Sequence, residues 1–265
     1  MQITSLTNSR IKEVLRLRKS NERLKNDQTI VEGDKEILCA LKSEAAFQDV
    51  FVCPMLVKDH LHHPIIKEFV KRNLPIHEIG KDVLEKISYG NRRDGFLALC
   101  RPKWYTLNVF GESKHPELFV VLEAVEKPGN LGAVLRTTDA VGADGIIVCD
   151  QKTDLFNPNI IRSSIGTVFT QKVVSASNAD VLKFFQERKV KIYAALPESS
   201  ENYTKMNFKE SAAIILGSED KGLSVFWKKN ADRSIKLPMK GLADSLNVSI
   251  TAAVVLYEAF RQREH

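Results

Sequence analysis

Three short stretches in the C-terminal half of the chain place polar residues where apolar segments end, and each could do chemistry. The first spans residues 123–136, EAVEKPGNLGAVLR. An apolar strand closes, a Pro-Gly turn follows, and a helix begins with Asn130 read as its N-cap. Gly132 and Arg136 stand four apart and share one helix face. Free backbone N–H groups at a helix start, together with a guanidinium, make an anion site suited to phosphate. The second stretch is residues 216–224, LGSEDKGLS. Gly217 and Gly222 flank Glu219 and Asp220 just past an apolar strand, where ligands bind in open α/β sheets. The third is residues 237–261, LPMKGLADSLNVSITAAVVLYEAFR. Here Ser245 or Asn247 can cap a helix that is apolar on most of its circumference, and such a helix is buried in a core or against a partner chain. Taken singly, each stretch is equally a capped helix or a polar turn.

Such groups must be held by a frame. Over residues 1–103, helices (11–24, 35–41, 65–70, 81–87) alternate with short strands (29–31, 50–52, 75–79, 95–99), which predicts a small α/β domain. Residues 104–116, with Gly111 and Pro116 and no sustained period, read as a linker. Within it, Trp104 and Tyr105 could stack on a base; packing between domains is the favoured reading. In residues 117–265, strands are expected at 118–122, 145–149, 172–174, 191–196, 212–216 and 235–237, and helices at 131–141, 158–165, 180–188 and 248–261. Near-continuous apolar strands such as FVVL and AIIL belong to a mostly parallel sheet with helices on both faces.

A chain of 265 residues is large for one core and suits two domains. Hydrophobic residues at 43% and charged residues at 27% mark a soluble globular protein. No apolar run approaches a membrane span, and MQITSLTNSR lacks a signal-peptide core, so the expected location is cytoplasmic, away from membranes. Cys39, Cys53, Cys100 and Cys149 form no CxxC pair, which points to reduced, buried thiols. His60, His62 and His63 lack a spaced fourth ligand, so no metal site is expected. The net charge of +6 is concentrated: Arg10, Lys12, Arg16, Arg18, Lys19, Arg23 and Lys25 against Glu13 and Glu22 place +5 in residues 1–25 and leave +1 for the rest. That segment either contacts a polyanion, nucleic acid first, or is a solvated helix face.

Together the patterns are far more specific than any one of them. N-x-G-x-x-x-R at 130–136, G-S-E-x-x-G at 217–222, P-M-x-G-x-x-x-S-L-N-V-S at 238–249 and Y-E-x-x-R-Q at 257–262 resemble the SpoU (TrmH-type) family of RNA ribose 2′-O-methyltransferases. The likeness covers roughly residues 118–265, and Asn157-Pro158 through Arg162-Ser163-Ser164-Ile165-Gly166 shares it. The N-terminal IVEGDKEILCAL is similar to the ribosomal-protein-like substrate-binding domain of many members.

The resemblance implies an α/β sheet with a deep C-terminal trefoil knot, which general folding rules would not predict. It implies S-adenosyl-L-methionine as methyl donor, with Leu196, Gly217, Leu237 and Leu246 against it. It implies Asn130, Arg136, Glu219, Ser245 and Asn247 as the catalytic set, and a homodimer through the C-terminal helix. Arg136 is often cast as the base in this family. A guanidinium keeps its proton in proteins, so clamping a phosphate and polarising the hydroxyl is the better role, with Glu219 orienting Asn130 or Arg136. The implied partner is RNA: ribosomal RNA by preference, transfer RNA as the alternative. Basic residues 10–23 and Arg136 are the candidate RNA contacts. A non-catalytic RNA-binding protein with the same fold is the competing class; Asn130, Arg136 and Glu219 together favour an enzyme. A nucleotide-dependent dehydrogenase is disfavoured, since Gly129 and Gly132 do not make the G-x-G-x-x-G fingerprint.

Overall fold

A computed structural model of the protein describes residues 2–89 and 94–264. Its contacts divide the chain into two units, residues 1–103 with 154–170, and residues 104–153 with 171–265.

The first unit holds β1 (Gln2–Ile3), α1 (Ser9–Arg16), α2 (Ser20–Asn26), β2 (Thr29–Glu32), α3 (Asp34–Leu41), β3 (Ala46–Val52), α4 (Pro64–Lys71), β4 (Ile76–Ile79), α5 (Lys81–Ile87) and β5 (Phe96–Arg101). The strands form a mixed sheet in the order β1-β4-β3-β5-β2, with β5 antiparallel to both β3 and β2. Ile11, Val14, Leu17, Phe51 and Leu97 meet in its core. The single helix expected over 11–24 is two helices. The chain turns at 17–19, and the Arg23 guanidinium donates to the carbonyls of Leu17 (2.9 Å) and Arg18 (3.0 Å), satisfying acceptors left open where α1 ends.

The second unit holds β6 (Leu118–Glu123), α6 (Pro128–Ala140) and β7 (Gly145–Cys149). The chain then forms α7 (Pro158–Ser163) in the first unit and returns with β8 (Val173–Ser175), α8 (Asn178–Glu187), β9 (Lys191–Ala195), β10 (Ala212–Leu216), α9 (Val225–Asn230), β11 (Arg233–Ile235) and α10 (Val248–Arg263). All neighbours in the sheet β11-β9-β10-β6-β7-β8 run parallel. Successive side chains point to opposite faces, and both sets are buried. Phe119, Val121, Ile147 and Ile215 pack with Val181 and Phe185 of α8 and Trp227 of α9. Val120, Leu122, Ile146 and Ile214 are equally buried, on the face taken by α6 and α10, which also pack on each other.

Two sequence boundaries shift. Residues 104–116 are no free linker: Tyr105, Leu107, Val109 and Phe110 pack on the second unit's core. Residues 154–170, assigned from sequence to the C-terminal domain, pack in the first unit, with Thr29 donating to the Phe156 carbonyl at 2.6 Å and Ile160 and Ile161 buried.

Candidate active site

In the parallel sheet, β10 lies beside β6, yet the chain leaves β6 toward β7 and β8 on one side and later fills β9 and β11 on the other. Such a switch point opens a crevice at the carboxyl ends of the strands. The loops that leave β6 and β10 there carry Asn130 and Glu219. Asn130 lies within the first turn of α6; the N-cap is Lys127, because the helix starts at Pro128. The side chain is therefore free to reach outward. Its Nδ2 donates to Glu219 Oε1 in a short hydrogen bond, and its Oδ1 accepts from Asn247 Nδ2 at 3.3 Å. Asn247 is the N-cap of α10, its Oδ1 accepting from the backbone N–H of Ser249 at 2.9 Å and from the Ser249 hydroxyl at 2.7 Å. The three side chains thus form one hydrogen-bonded chain across the starts of two helices and the β10 loop.

That loop is shaped by glycine. Gly222 has a φ of +63°, a region open to glycine without strain. A Cβ on Gly217 would collide with the backbone of Gly222. The turn closes with Gly222 N–H donating to the Ser218 carbonyl at 3.0 Å. Beside it lies a cleft of about 270 Å³, bordered by Leu196, Gly217, Leu237 and Leu246, with Glu219 and Ser245 also on its wall. Ile235 and Val248 extend the apolar side. At the rim, Lys228 donates to Glu198 at 2.9 Å, and this hydrogen bond holds the Glu198 carboxyl below its ordinary range.

Apolar walls beside backbone groups and carboxylates suit a donor that combines a flat base, a ribose and a cationic sulfur. Among the described residues there is no cluster able to hold a metal ion.

Not every residue singled out from sequence joins this chain. The Ser245 hydroxyl donates to Asp244 at 3.1 Å. Arg136 sits six residues beyond Asn130 on α6, exposed, and no described residue accepts from its guanidinium. Glu219 therefore pairs with Asn130 and not with Arg136. Of the basic N-terminal residues, Lys12, Arg16 and Lys19 are exposed, and Arg10 is exposed while bonded to Glu13 at 2.9 Å. Arg18 donates to the carbonyls of Lys86 and Ser88. Arg23 is corrected: it is 4% exposed and ion-paired to Asp154 at 2.7 Å, so its charge is spent inside the fold.

Sequence reasoning missed the buried cluster at the end of β6. Glu123, 3% exposed, accepts from Asn178 Nδ2, Ser224 Oγ and the Ser224 backbone N–H, each at 2.7 Å. Asn178 in turn accepts from Trp227 Nε1 at 2.8 Å. A charged residue closing a run of apolar ones, Leu118 to Leu122, was the available signal.

A parallel α/β sheet with its polar loops gathered at a switch point, beside an apolar-walled cleft, defines a class of ligand-binding α/β proteins. Residues 117–257 match the SpoU rRNA Methylase family, and residues 8–98 match the MRM3-like substrate binding domain. A "23S rRNA (guanosine(2553)-2′-O)-methyltransferase" of Bacillus subtilis is 27% identical, over 97% of this chain and 98% of its own. A crystal structure of an "RNA 2′-O ribose methyltransferase" is 35% identical, covers 100% of both chains and superposes with a TM-score of 0.84. An AdoMet-bound rRNA methyltransferase from Sinorhizobium meliloti is 26% identical over 98% of this chain and 97% of its own, with a TM-score of 0.89. The chain belongs to the SpoU family of RNA 2′-O-methyltransferases. Its cofactor is S-adenosyl-L-methionine.

Proposed function

We propose that the protein methylates a ribose 2′-hydroxyl of ribosomal RNA, and that Asn130, Arg136, Glu219, Ser245 and Asn247 do the work. The observation that carries this assignment is the Asn247–Asn130–Glu219 hydrogen-bonded chain beside the cleft. A protein that only bound RNA would have no use for a carboxylate that fixes one amide, itself bonded to a second, at a donor site. Ribosomal RNA is favoured because the relative named for 23S rRNA matches end to end, whereas the likeness to a solved tRNA modifying enzyme covers 60% of this chain.

The bound cofactor supplies a methyl group on a positively charged sulfur. Leu196, Gly217, Leu237 and Leu246 hold the cofactor in the cleft. Asn130 and Asn247 fix the ribose, their amides kept from rotating by Glu219 and Ser249, and Ser245 orients ribose against donor. An alcohol is a poor nucleophile: as the 2′-oxygen bonds to the methyl carbon, the carbon–sulfur bond breaks, its electrons stay on sulfur, and the hydroxyl proton passes to solvent. Arg136 clamps a flanking phosphate and polarises the 2′-oxygen, an interaction that strengthens as charge develops.

The first unit binds the RNA. Exposed Arg10, Lys12, Arg16 and Lys19 track its phosphates, with loops and shape selected over duplex edges. The exposed Ile250 and Tyr257 of α10 are covered by a second copy in a homodimer. The return of the chain from edge strand β11 to pack α10 on α6 supports a trefoil knot. The protein works in the cytoplasm; no helix of the described residues is long and apolar enough to cross a membrane. Purified protein, S-adenosyl-L-methionine and unmodified ribosomal RNA, followed by mapping of 2′-O-methyl sites, tests the assignment. A product methylated on a base, or no product from ribosomal RNA with activity on transfer RNA, would overturn it.

A further inference from the structure

We infer that Glu123 is a positioning residue for methyl transfer, acting through the β10 loop. This inference rests on the catalytic reading of Asn130 and Glu219. Both groups depart from one place. The backbone following Glu123 runs through Ala124, whose φ is +54° and whose N–H donates to the Cys149 carbonyl at 3.0 Å, into the α6 turn that bears Asn130. The side chain of Glu123 holds both the N–H and the hydroxyl of Ser224. Ser224 is the residue at which the 217–223 loop, bearing Glu219, ends. One buried carboxylate thus fixes the separation between the strand that launches Asn130 and the loop that carries Glu219.

Several features indicate that this anchor is built for the purpose. Ser224 is the N-cap of α9, yet its hydroxyl makes no capping bond and turns to Glu123. Three neutral donors serve the carboxylate, among them Asn178, itself locked by Trp227, which is fully buried. The loop's other end is welded into β10, where Gly217 lies against Gly222. Between these anchors the turn has little freedom, so the direction of Glu219 is set at Glu123. A glutamine cannot replace the carboxylate. With its oxygen toward the Ser224 N–H, its amide faces the Asn178 amide, and turning Asn178 to accept would break the bond from Trp227. One donor is left unpaired in either arrangement.

The test is a double-mutant cycle on the full chain, with turnover measured per folded enzyme well below the melting temperature. Glu123→Gln is expected to lower kcat about 10²-fold, the effect of displacing a catalytic group by about 1 Å. Ser224→Ala keeps the backbone donor and is expected to lower kcat less. In a Glu219→Gln background, Glu123→Gln is expected to lower kcat little further, because its route runs through Glu219. If Glu123→Gln lowers only the melting temperature and leaves kcat intact, or if its effect on kcat is undiminished without Glu219, the inference is overturned. Should Glu123→Gln fail to fold, Ser224→Ala carries the same cycle. If Glu219→Gln alone leaves kcat unchanged, the catalytic reading itself has failed, an outcome distinct from failure of the Glu123 anchor.

Discussion

Arg23 in the first unit and Arg136 in the second carry the same charge on helices, and the protein uses them in opposite ways. Arg23 is buried, ion-paired to Asp154, and ties off the carbonyls at the end of α1. Arg136 is exposed, with no acceptor among the described residues. Removing one partner of a buried ion pair is strongly destabilising, since it strands the other charge. An exposed, unpaired guanidinium does little for stability and keeps its donors for an external phosphate. The contrast extends further. His77 and Asp49 of the first unit meet inside it at 2.7 Å, while Glu219 of the second stands on the wall of a cleft and holds Asn130, which in turn accepts from Asn247.

The largest expected effect is on stability. Asp154→Ala should cost about 3–5 kcal/mol in urea unfolding by leaving Arg23 buried and unpaired; a loss below about 1 kcal/mol would show that the pair does not secure the first unit. Next, Arg136→Ala should reduce kcat about 10²- to 10³-fold, as for removal of one oxyanion donor, with the melting temperature and cofactor affinity unchanged. Near-normal turnover would remove Arg136 from the reaction. Gly217→Ala should weaken cofactor binding about tenfold, since the new Cβ meets Gly222 backbone and the turn must open; calorimetry with S-adenosyl-L-methionine reads this, and unchanged affinity would separate the loop from the cofactor. Replacing Lys12, Arg16 and Lys19 together by alanine should flatten the log–log salt dependence of RNA binding by about two to three units without altering cofactor affinity. An unchanged slope would return these residues to a solvated helix face. The smallest expected effect is chemical. Burial pushes the Cys149 thiol up to about 12 and raises Cys100 as well. Both therefore stay protonated well above neutral pH, and iodoacetamide at pH 8 should leave them unmodified in the folded protein, as mass spectrometry would record.

The packing of residues 154–170 also changes how the units can be separated. Cutting the chain after residue 103 leaves Phe156, Ile160, Ile161 and Phe169 without the core that buries them. A truncation meant to isolate the methyl-transfer unit must therefore also replace that insert, or its aggregation would be mistaken for loss of RNA binding.

Much of this was legible in the sequence, because apolar periodicity and strand-end punctuation are local. The β6, β7 and β10 strands, the apolar α10 and the polar loops beside them follow from residues within a few positions of each other. The motif spacing named the family from residue types alone. The sequence reads as one helix over 11–24 because Ile11, Val14, Leu15 and Leu17 lead straight into a charged run; at the break, Arg23 reaches back to the Leu17 and Arg18 carbonyls, a side-chain contact that apolar periodicity does not announce. Asn130 reads from sequence as the N-cap of α6 because its amide suits a cap, and only the structure shows that amide occupied by Glu219 and Asn247.

What the sequence determined by itself was the alternation of strand and helix, the glycines that permit the β10 turn, and the identity of the polar residues at the strand ends. Tertiary structure alone decided which of them meet. Asn130 lies 89 positions before Glu219 and 117 before Asn247, and Arg23 is 131 positions from Asp154. Contacts at such separations depend on strand order and on which chain segments share a core, and those are settled by how the whole molecule buries its apolar surface, a quantity no short stretch of residues contains.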